Sequence, residues 1–291
     1  MGDWVLGVIG GSGLYEIEGL KDPRWVKIDS PFGAPSDELL TGALGDVKLV
    51  FLPRHGRGHR IPPSGLNARA NIDVLKRAGC TDLISLSAVG SLREALDPGT
   101  FVVVDQFIDR TFAREKSFFG EGLVAHVSMA EPVCPRLSAM AVEAGRAAGA
   151  RVVDGGCYLA MEGPQFSTKA ESALYRSWGC DVIGMTNMPE AKLAREAELP
   201  YASVAMVTDY DCWREDYDNV EVTHILEVLH GNADMARDLV RRLAAGLPAR
   251  REPSPIDTCL DTALITAPNA RDPKAAKRLD AIVGRVLGTA Q

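Results

Sequence analysis

The stretch that decides the fold runs from VKLVFLP (47–53) to DLISLSAVG (82–90), two apolar runs on either side of a helical segment. We predict that Pro63 and Ser64 open this helix and that Gly79 ends it. Both runs are mostly apolar, which is typical of strands covered on both faces. Two such strands joined through a helix indicate a parallel pair.

The same order of elements continues in both directions. Further strands are predicted at 5–9, 100–109, 181–185 and 201–209, and helices at 135–149, 169–178, 189–198, 223–245 and 273–288. Strands that alternate with helices predict an α/β fold with a mainly parallel central sheet flanked by helices. Residues 246–257 are rich in Pro and Arg and are interpreted as a loop. We predict one domain over 1–267 and a helical tail over 268–291, packed on that domain or on a neighbouring subunit.

Composition excludes several classes of function. The chain has 291 residues and a formal net charge of −7 without a long basic run, so nucleic acid is not an expected partner. The N-terminal residues lack the pattern of a signal peptide, and no apolar run reaches 18 residues, so no membrane association is expected. Six scattered cysteines without a CxxC pair favour reduced thiols in a cytoplasmic protein.

Three predicted strands end in groups that can bind an anion. Ser12 lies in GGSG after the first strand, Arg54 and His55 begin RHGRGHR after the second, and Ser87 lies at the end of the third. The first two motifs have a plainer interpretation, as a tight turn and a solvated basic loop, and the small residues of the third allow the backbone to approach a ligand closely. Because ligands of open α/β sheets bind at the carboxyl ends of the strands, the three together predict a phosphate pocket.

A metal site is not predicted. His55 and His59 are four residues apart, which is a ligand spacing on a helix, but Gly56 and Gly58 argue against a helix there. No carboxylate partner is evident nearby in the sequence.

Two later segments could contact a flat ring and a sugar. Phe166 in EGPQFS (162–167) could stack on a base, and Met185 in DVIGMT could cover a ribose, while Thr186 could donate to an anion. A turn with a core aromatic residue and a core methionine are the alternatives.

A pair of carboxylates, Asp209 and Asp211, follows the apolar run YASVAMV. In extended backbone two such side chains point the same way, and buried acids without a task are costly. We interpret them as a catalytic pair, with a turn cap as the alternative. No Gly-x-Ser-x-Gly motif is present, so a serine hydrolase is not favoured.

Together, VIGGSGL, FLPRHGRGH, SAVGSLRE, EGPQFSTKAES, GMTNMPEAKLARE and MVTDYDCW resemble the methylthioadenosine phosphorylase branch of the trimeric purine nucleoside phosphorylase family. The resemblance spans residues 5–245. It implies a single phosphorylase-type domain with a twisted central sheet, a homotrimer with shared active sites, and no metal or organic cofactor, with inorganic phosphate as co-substrate.

The resemblance also implies roles for individual residues. Those expected around phosphate are Ser12, Arg54, His55, Ser87, Ala88 and Thr186. Those expected along the nucleoside are Met185 under the ribose, Phe166, Ser167, Asp209 and Asp211 along the purine, Val222 at the 5′ pocket, and His126, which would reach the ligand of a neighbouring subunit.

The implied reaction is phosphorolysis of S-methyl-5′-thioadenosine in purine and methionine salvage, with Asp209 as the general acid at the purine N7. A carboxylate there accepts from a 6-amino group and opposes a 6-oxo group, and Ser167 and Val222 would form an apolar wall for the methylthio group. The alternatives are a 6-oxopurine nucleoside or methylthioinosine phosphorylase, a hydrolytic nucleosidase, and a non-catalytic nucleotide-binding protein. Val89, Gly184 and Gln165 depart from many animal members of the family, and the first two, which flank pocket positions, could widen specificity towards adenosine or other 5′-substituted adenosines.

Overall fold

The computed structural model describes residues 4–11, 13–214 and 222–288, and in the last range the side chains of 222–227, 229 and 230 lie outside the description. The strands of the described chain are Val5–Gly10 (β1), Lys21–Val26 (β2), Leu39–Leu44 (β3), Val47–Pro53 (β4), Asp82–Ser91 (β5), Thr100–Val104 (β6), Gln106–Asp109 (β7), Arg151–Asp154 (β8), Cys157–Ala160 (β9), Val182–Gly184 (β10) and Tyr201–Asp209 (β11).

The α-helices of the described chain are Ala68–Arg77 (α1), Pro135–Ala147 (α2), Lys169–Ser177 (α3), Asn187–Glu196 (α4), Val222–Gly246 (α5), Pro273–Arg278 (α6) and Asp280–Leu287 (α7). No described helix is both long enough and apolar enough to cross a lipid bilayer.

One mixed sheet of eleven strands organises the described chain. Six of its pairings are parallel and four are antiparallel, so the prediction of a mainly parallel sheet is confirmed. β5 is the central strand, because it pairs with β1, with β10 and with β11. β4, β1 and β5 are consecutive parallel strands, so their carboxyl ends lie at the same edge of the sheet, which is the arrangement that the predicted pocket requires.

Two apolar layers cover the faces of this sheet. Successive residues of β1 alternate between them, with Ile9 in one layer and Val8 in the other. α1, α4 and α7 contribute to the first layer, and α2 and α5 to the second. This helix–sheet–helix stacking confirms the predicted α/β class.

Several predicted boundaries are wrong. Residues 63–65 form only a short 3₁₀ turn, and α1 begins at Ala68 because the side chain of Asn67 caps it by accepting from the N–H of Ala70 at 3.1 Å. The predicted strand 100–109 is two strands with a break at Asp105, whose carboxylate accepts from the N–H of Gly156 at 3.0 Å. The predicted helix 273–288 is likewise divided, at Leu279.

Four strands were not predicted: β2, β3, β8 and β9. β2 has the sequence KDPRWV and is exposed along its length, so it carries no apolar pattern, and its proline suits an edge strand. β8 and β9 have only four residues each. These strands form because they pair with neighbouring strands of the sheet, and the local sequence does not reveal such pairing.

Candidate active site

The end of β5 and the start of α4 place two of the predicted phosphate-binding hydroxyls on one acceptor. The Oγ of Ser87 donates to the Oδ1 of Asn187 at 3.0 Å, and the Oγ1 of Thr186 donates to the same atom at 3.1 Å. Ser87 is buried, whereas Thr186 and Ala88 are partly exposed. The structure therefore brings Ser87 and Thr186 together, as the sequence predicts.

Arg54 lies near these hydroxyl groups, but nearly all of its N–H groups donate to other atoms of the protein. Its side chain is 2% exposed, and its Nε lies 3.0 Å from Glu190. Nη2 also donates to Glu190, to Ser85 at 2.5 Å and to the carbonyl of Ile9, and Nη1 donates to the carbonyl of Leu86 at 2.9 Å. Within the described residues, a single Nη1 hydrogen remains for a ligand. Arg54 therefore cannot offer phosphate the bidentate fork that its sequence position suggests.

His55 is buried and neutral. Its Nδ1 lies 2.8 Å from the carbonyl of Ile61, which can only accept, so Nδ1 carries the hydrogen. Burial lowers the pKa of His55 to about 4. Its Nε2 is therefore a hydrogen-bond acceptor at neutral pH, and His59 stacks on the ring with 4.3 Å between centroids.

The other cations of the RHGRGHR segment serve the loop itself. Arg57 pairs with Asp37 at 2.8 Å and lies 4.1 Å above the ring of Trp25. Arg60 donates to the carbonyl of Ser36 at 2.6 Å. The alternative of a solvated basic loop thus describes Arg57 and Arg60. Within the described residues, no group of three or more His, Cys, Asp or Glu side chains is arranged to hold a metal ion.

The acid pair is brought together by a turn, not by extended backbone as predicted. Asp209 ends β11, and Asp211 has a left-handed φ of 52°, a conformation that side-chained residues adopt mainly where the surroundings fix it. The N–H of Asp211 donates to Oδ1 of Asp209 at 2.8 Å, and the Oγ1 of Thr208 donates to Oδ2 at 2.7 Å. Both carboxyl groups are buried, and burial raises the pKa of Asp211, with the charge of Asp209 raising it further.

Gly90 makes room for this pair. β11 is bulged between Val207 and Asp209, so that Asp209 lies opposite Gly90 of β5. A Cβ at residue 90 would lie 3.0 Å from Oδ1 of Asp209 and 3.4 Å from the Cβ of Asp211. The acids and the hydroxyl of Ser87 therefore belong to the same short segment of the sheet.

The two predicted nucleoside-contacting loops meet beside the acids. The Sγ of Cys212 donates to the carbonyl of Ser167 at 3.2 Å, and the ring of Phe166 is 46% exposed. Met185 lies against Gly163, where a Cβ would meet its Sδ at 2.5 Å. The structure thus joins the 162–167 loop to the residue after Asp211 and to Met185, and leaves the ring of Phe166 exposed.

Two of the remaining predicted residues lie wholly or partly outside the description, and a third, His126, is described by its exposure and main-chain contact. Ser12 lies outside the described residues, and so does the side chain of Val222, the first residue of α5. His126 is exposed, and its main-chain N–H donates to the carbonyl of Ala263 at 2.9 Å. Their roles stay predictions.

The sequence analysis did not identify the polar residues that hydrogen-bond to the predicted site residues and position them. These are Asn187, which receives the two hydroxyls, Glu190, which pairs with Arg54, and Arg114, which donates to the carbonyls of Glu162 at 2.6 Å and Met185 at 2.7 Å. The one available signal was TNMPE (186–190), in which polar residues begin a helix directly after a strand. Arg114 gave no signal, because its partners are far away in the chain.

Comparisons with known proteins agree with this geometry. A family model described as the phosphorylase superfamily matches residues 5–245. The S-methyl-5′-thioadenosine phosphorylase of Cereibacter sphaeroides is 62% identical over 285 residues, which cover 97% of this chain and 98% of the relative. The protein of the same name from Bradyrhizobium diazoefficiens is 61% identical, with the same coverage of 97% and 98%.

Solved structures show the same likeness. A methylthioadenosine phosphorylase from an antarctic soil metagenomic library superposes with a TM-score of 0.91 at 45% identity, covering 96% of this chain and 98% of that one. Methylthioadenosine phosphorylase from Schistosoma mansoni, in complex with adenine, gives a TM-score of 0.77 at 39% identity, covering 83% and 91%. The chain therefore belongs to the phosphorylase superfamily.

Proposed function

We propose that this enzyme cleaves the N-glycosidic bond of S-methyl-5′-thioadenosine with inorganic phosphate, giving adenine and 5-methylthio-α-D-ribose 1-phosphate. One observation carries the proposal. A buried acid pair lies against Gly90 of β5, three residues from the hydroxyl of Ser87 on the same strand. Three residues of a strand span about 10 Å, so Ser87 and the acids at Gly90 are separated by roughly the length of a nucleoside. A bound nucleoside can therefore have phosphate at its sugar and an acid at its purine. The names of the relatives supply the particular nucleoside.

Phosphate is the proposed nucleophile at C1′, and it is the co-substrate, with no further cofactor. Ser12, Ser87 and Thr186 donate their hydroxyl hydrogens to it, the backbone at Ala88 approaches it, and the remaining Nη1 hydrogen of Arg54 is directed at it. The Nε2 of the neutral His55 accepts from the P–OH of hydrogen phosphate. Fixed in this way, the phosphate is oriented for attack, and its charge stabilises the oxocarbenium ion that develops on the ribose.

Asp209 is the proposed general acid. The purine leaves as its N7 gains a proton, and Asp209 is assigned to supply it. Burial and the charge of Asp209 raise the pKa of the neighbouring Asp211, whose main-chain N–H donates to the carboxylate of Asp209 at 2.8 Å. A carboxylate of this pair accepts from the 6-amino group of adenine and opposes a 6-oxo group. Phe166 stacks on the purine, and Met185 covers the ribose.

The 5′ end is assigned to Ser167 and Val222, which offer little bulk to a methylthio group. His126 is assigned to the ligand of an adjacent subunit, in a homotrimer with shared sites, and the cytoplasm is the proposed compartment. The exposed position of His126 is consistent with a contact to another copy of the chain.

The test measures adenine release from S-methyl-5′-thioadenosine with and without inorganic phosphate. The release of the free base from methylthioinosine and from adenosine is measured in the same way. We expect release that depends on phosphate and that is weak for methylthioinosine. Release without phosphate would make the enzyme a hydrolase, and a preference for methylthioinosine would overturn the role of Asp209 in selecting the base.

A variant locates the proton donor. Asp209→Asn is expected to lower kcat by about 10²- to 10⁴-fold for adenine release, whereas Asp29→Asn, at a side chain that is 90% exposed, is expected to leave it unchanged. Equal rates in the two variants would remove Asp209 from the mechanism.

A further inference from the structure

Asn187 lies at the centre of a set of hydroxyl groups beneath the phosphate-binding side chains. It is fully buried at the start of α4. Its Oδ1 accepts from Ser87 and Thr186 at 3.0 and 3.1 Å. Its Nδ2 donates to three hydroxyl oxygens on the opposite side, those of Ser85 at 3.3 Å, Tyr201 at 2.8 Å and Ser203.

The inner side of this set is held by the buried ion pair. Tyr201 donates its hydroxyl hydrogen to Glu190 at 2.8 Å, and Glu190 in turn pairs with Arg54 at 3.0 Å. Ser85 accepts from Nη2 of Arg54 at 2.5 Å, and this bond does not use the hydrogen of the Ser85 hydroxyl. Arg54 is thereby connected to Asn187 through both Tyr201 and Ser85.

The direction of the outer hydrogen bonds conflicts with the binding of an anion. A hydroxyl group has one hydrogen, and Ser87 and Thr186 both give theirs to Oδ1 of Asn187. They then turn only lone pairs toward any other partner. Phosphate at neutral pH needs donors, so its arrival requires that both hydrogens leave Asn187, and a buried carbonyl oxygen without a donor is costly.

We propose that Asn187 is a positioning residue for phosphate, whose side-chain amide turns over when phosphate binds. All its polar partners are hydroxyls, which can donate or accept. After a half-turn, Nδ2 donates to Ser87 and Thr186, and Oδ1 accepts from Ser85 and Ser203. The hydrogens of Ser87 and Thr186 are then free for phosphate, while Tyr201 loses the amide donor and keeps its hydrogen bond to Glu190. This inference rests on the proposed function, because it assigns phosphate to these two hydroxyls.

The amide at residue 187 is tested by steady-state kinetics, with each substrate varied at saturation of the other. Asn187→Ala removes the donor that supports the two hydroxyls, and the KM for phosphate is expected to rise about 10-fold. Asn187→Asp has the shape of asparagine but only accepts and carries a charge, so a rise on the order of 100-fold is expected. The KM for the nucleoside is expected to stay within about 2-fold. A merely structural role predicts the opposite order, because the aspartate fills the cavity that alanine leaves.

Asn232→Ala is the matched control, since Asn232 is a buried asparagine in α5 that donates to the carbonyl of Val207 at 3.4 Å. It is expected to lower the melting temperature without raising the KM for phosphate. An unchanged phosphate KM in a folded Asn187→Ala variant, or equal rises in both KM values, would overturn the proposal.

If neither Asn187 variant folds, Ser203→Ala decides. It removes one donor to Oδ1 of the turned Asn187 and is expected to raise the phosphate KM about 3-fold. Ser138→Ala is the control, because the buried Oγ of Ser138 has no partner among the described residues, and no change in the phosphate KM is expected. Equal phosphate KM values in these two serine variants would overturn the proposal. A wild-type enzyme without phosphate-dependent release would instead defeat the proposed function, whereas an active wild type with unaffected variants defeats only the role of Asn187.

Discussion

At the scale of single residues, burial decides which members of a polar segment keep their charge and which are free to bind. Arg54 and His55 are adjacent, and both are buried. Arg54 keeps its charge because Glu190 pairs with it, whereas the hydrogen-bond partner of His55 within the described residues is a carbonyl, and the ring is neutral. Two neighbouring residues of a basic motif thus differ in charge at neutral pH.

The neutral state of His55 predicts a loss of stability in acid. Its pKa is about 4 in the folded chain against 6.5 ordinarily, because burial disfavours the charged ring. The folded state binds the proton more weakly than the unfolded state does. The contribution of neutral His55 to the free energy of unfolding is therefore fully present above pH 6.5 and is lost as the pH falls toward 4. The change amounts to roughly 3 kcal/mol in the free energy of unfolding.

His55→Gln keeps a donor for Ile61 and removes the titration. Urea unfolding between pH 7 and 4.5 should show a shallower loss of stability for this variant than for the wild type. His126→Gln is the control, because His126 is exposed and should leave the pH dependence unaltered. Identical pH profiles for the wild type and His55→Gln would show that His55 is not held neutral by burial.

At the scale of elements, irregular segments carry most of the site, and buried side chains hold them in place. Arg114 lies in the loop between β7 and α2 and is 5% exposed. It donates to the carbonyls of Met161, Glu162, Met185 and Met188, and its Nε lies 3.2 Å from the carboxylate of Glu162. This one side chain therefore fixes both loops predicted to contact the nucleoside.

Arg114→Met retains the apolar stem and releases the two loops. Because a small displacement of positioning groups is costly to catalysis, kcat/KM for the nucleoside is expected to fall by on the order of 100-fold. Arg146→Met, which removes an exposed pair with Glu143 in α2, should have no effect on the same measurement. A kcat/KM within a factor of two of the wild type would show that the loops hold their positions without Arg114.

At the scale of the whole molecule, the C-terminal tail is part of the first apolar layer. Ile282 and Val283 of α7 are buried in it. Arg285 pairs with the buried Glu198 at 2.6 Å, and Asp280 pairs with Arg77 at the end of α1. Residues 280–287 therefore pack on their own chain, against α1 and the segment 255–261. The boundary at residue 267 stays a prediction.

Truncation of Ile282 measures how much the tail contributes. Ile282→Ala removes buried methyl groups and leaves a cavity, so the free energy of unfolding is expected to fall by about 2–5 kcal/mol. Ile265→Ala is the control, because Ile265 is 60% exposed, and a change within roughly 0.5 kcal/mol is expected there. Equal denaturation midpoints for the two variants would mean that the tail does not stabilise the domain.

The sequence by itself determined the layers of the fold and the chemistry that the strand ends bring to the site. β1, β4, β5 and β11 are mostly apolar runs, and this pattern follows from burial on both faces, which is a local property of each strand. The same logic placed Ser87, Arg54 and the two aspartates at one edge of the sheet, because parallel strands end together.

Only the tertiary structure decided which of these groups are free. Asn187, Glu190 and Arg114 act through partners distant in the chain, and no periodicity or spacing reports such pairs. The meeting of Asp209 with Asp211 depends on a left-handed turn and on the space left by Gly90 on another strand. Local patterns record which face of an element is buried, whereas the hydrogen-bond partner of a buried polar group is fixed only when the elements pack.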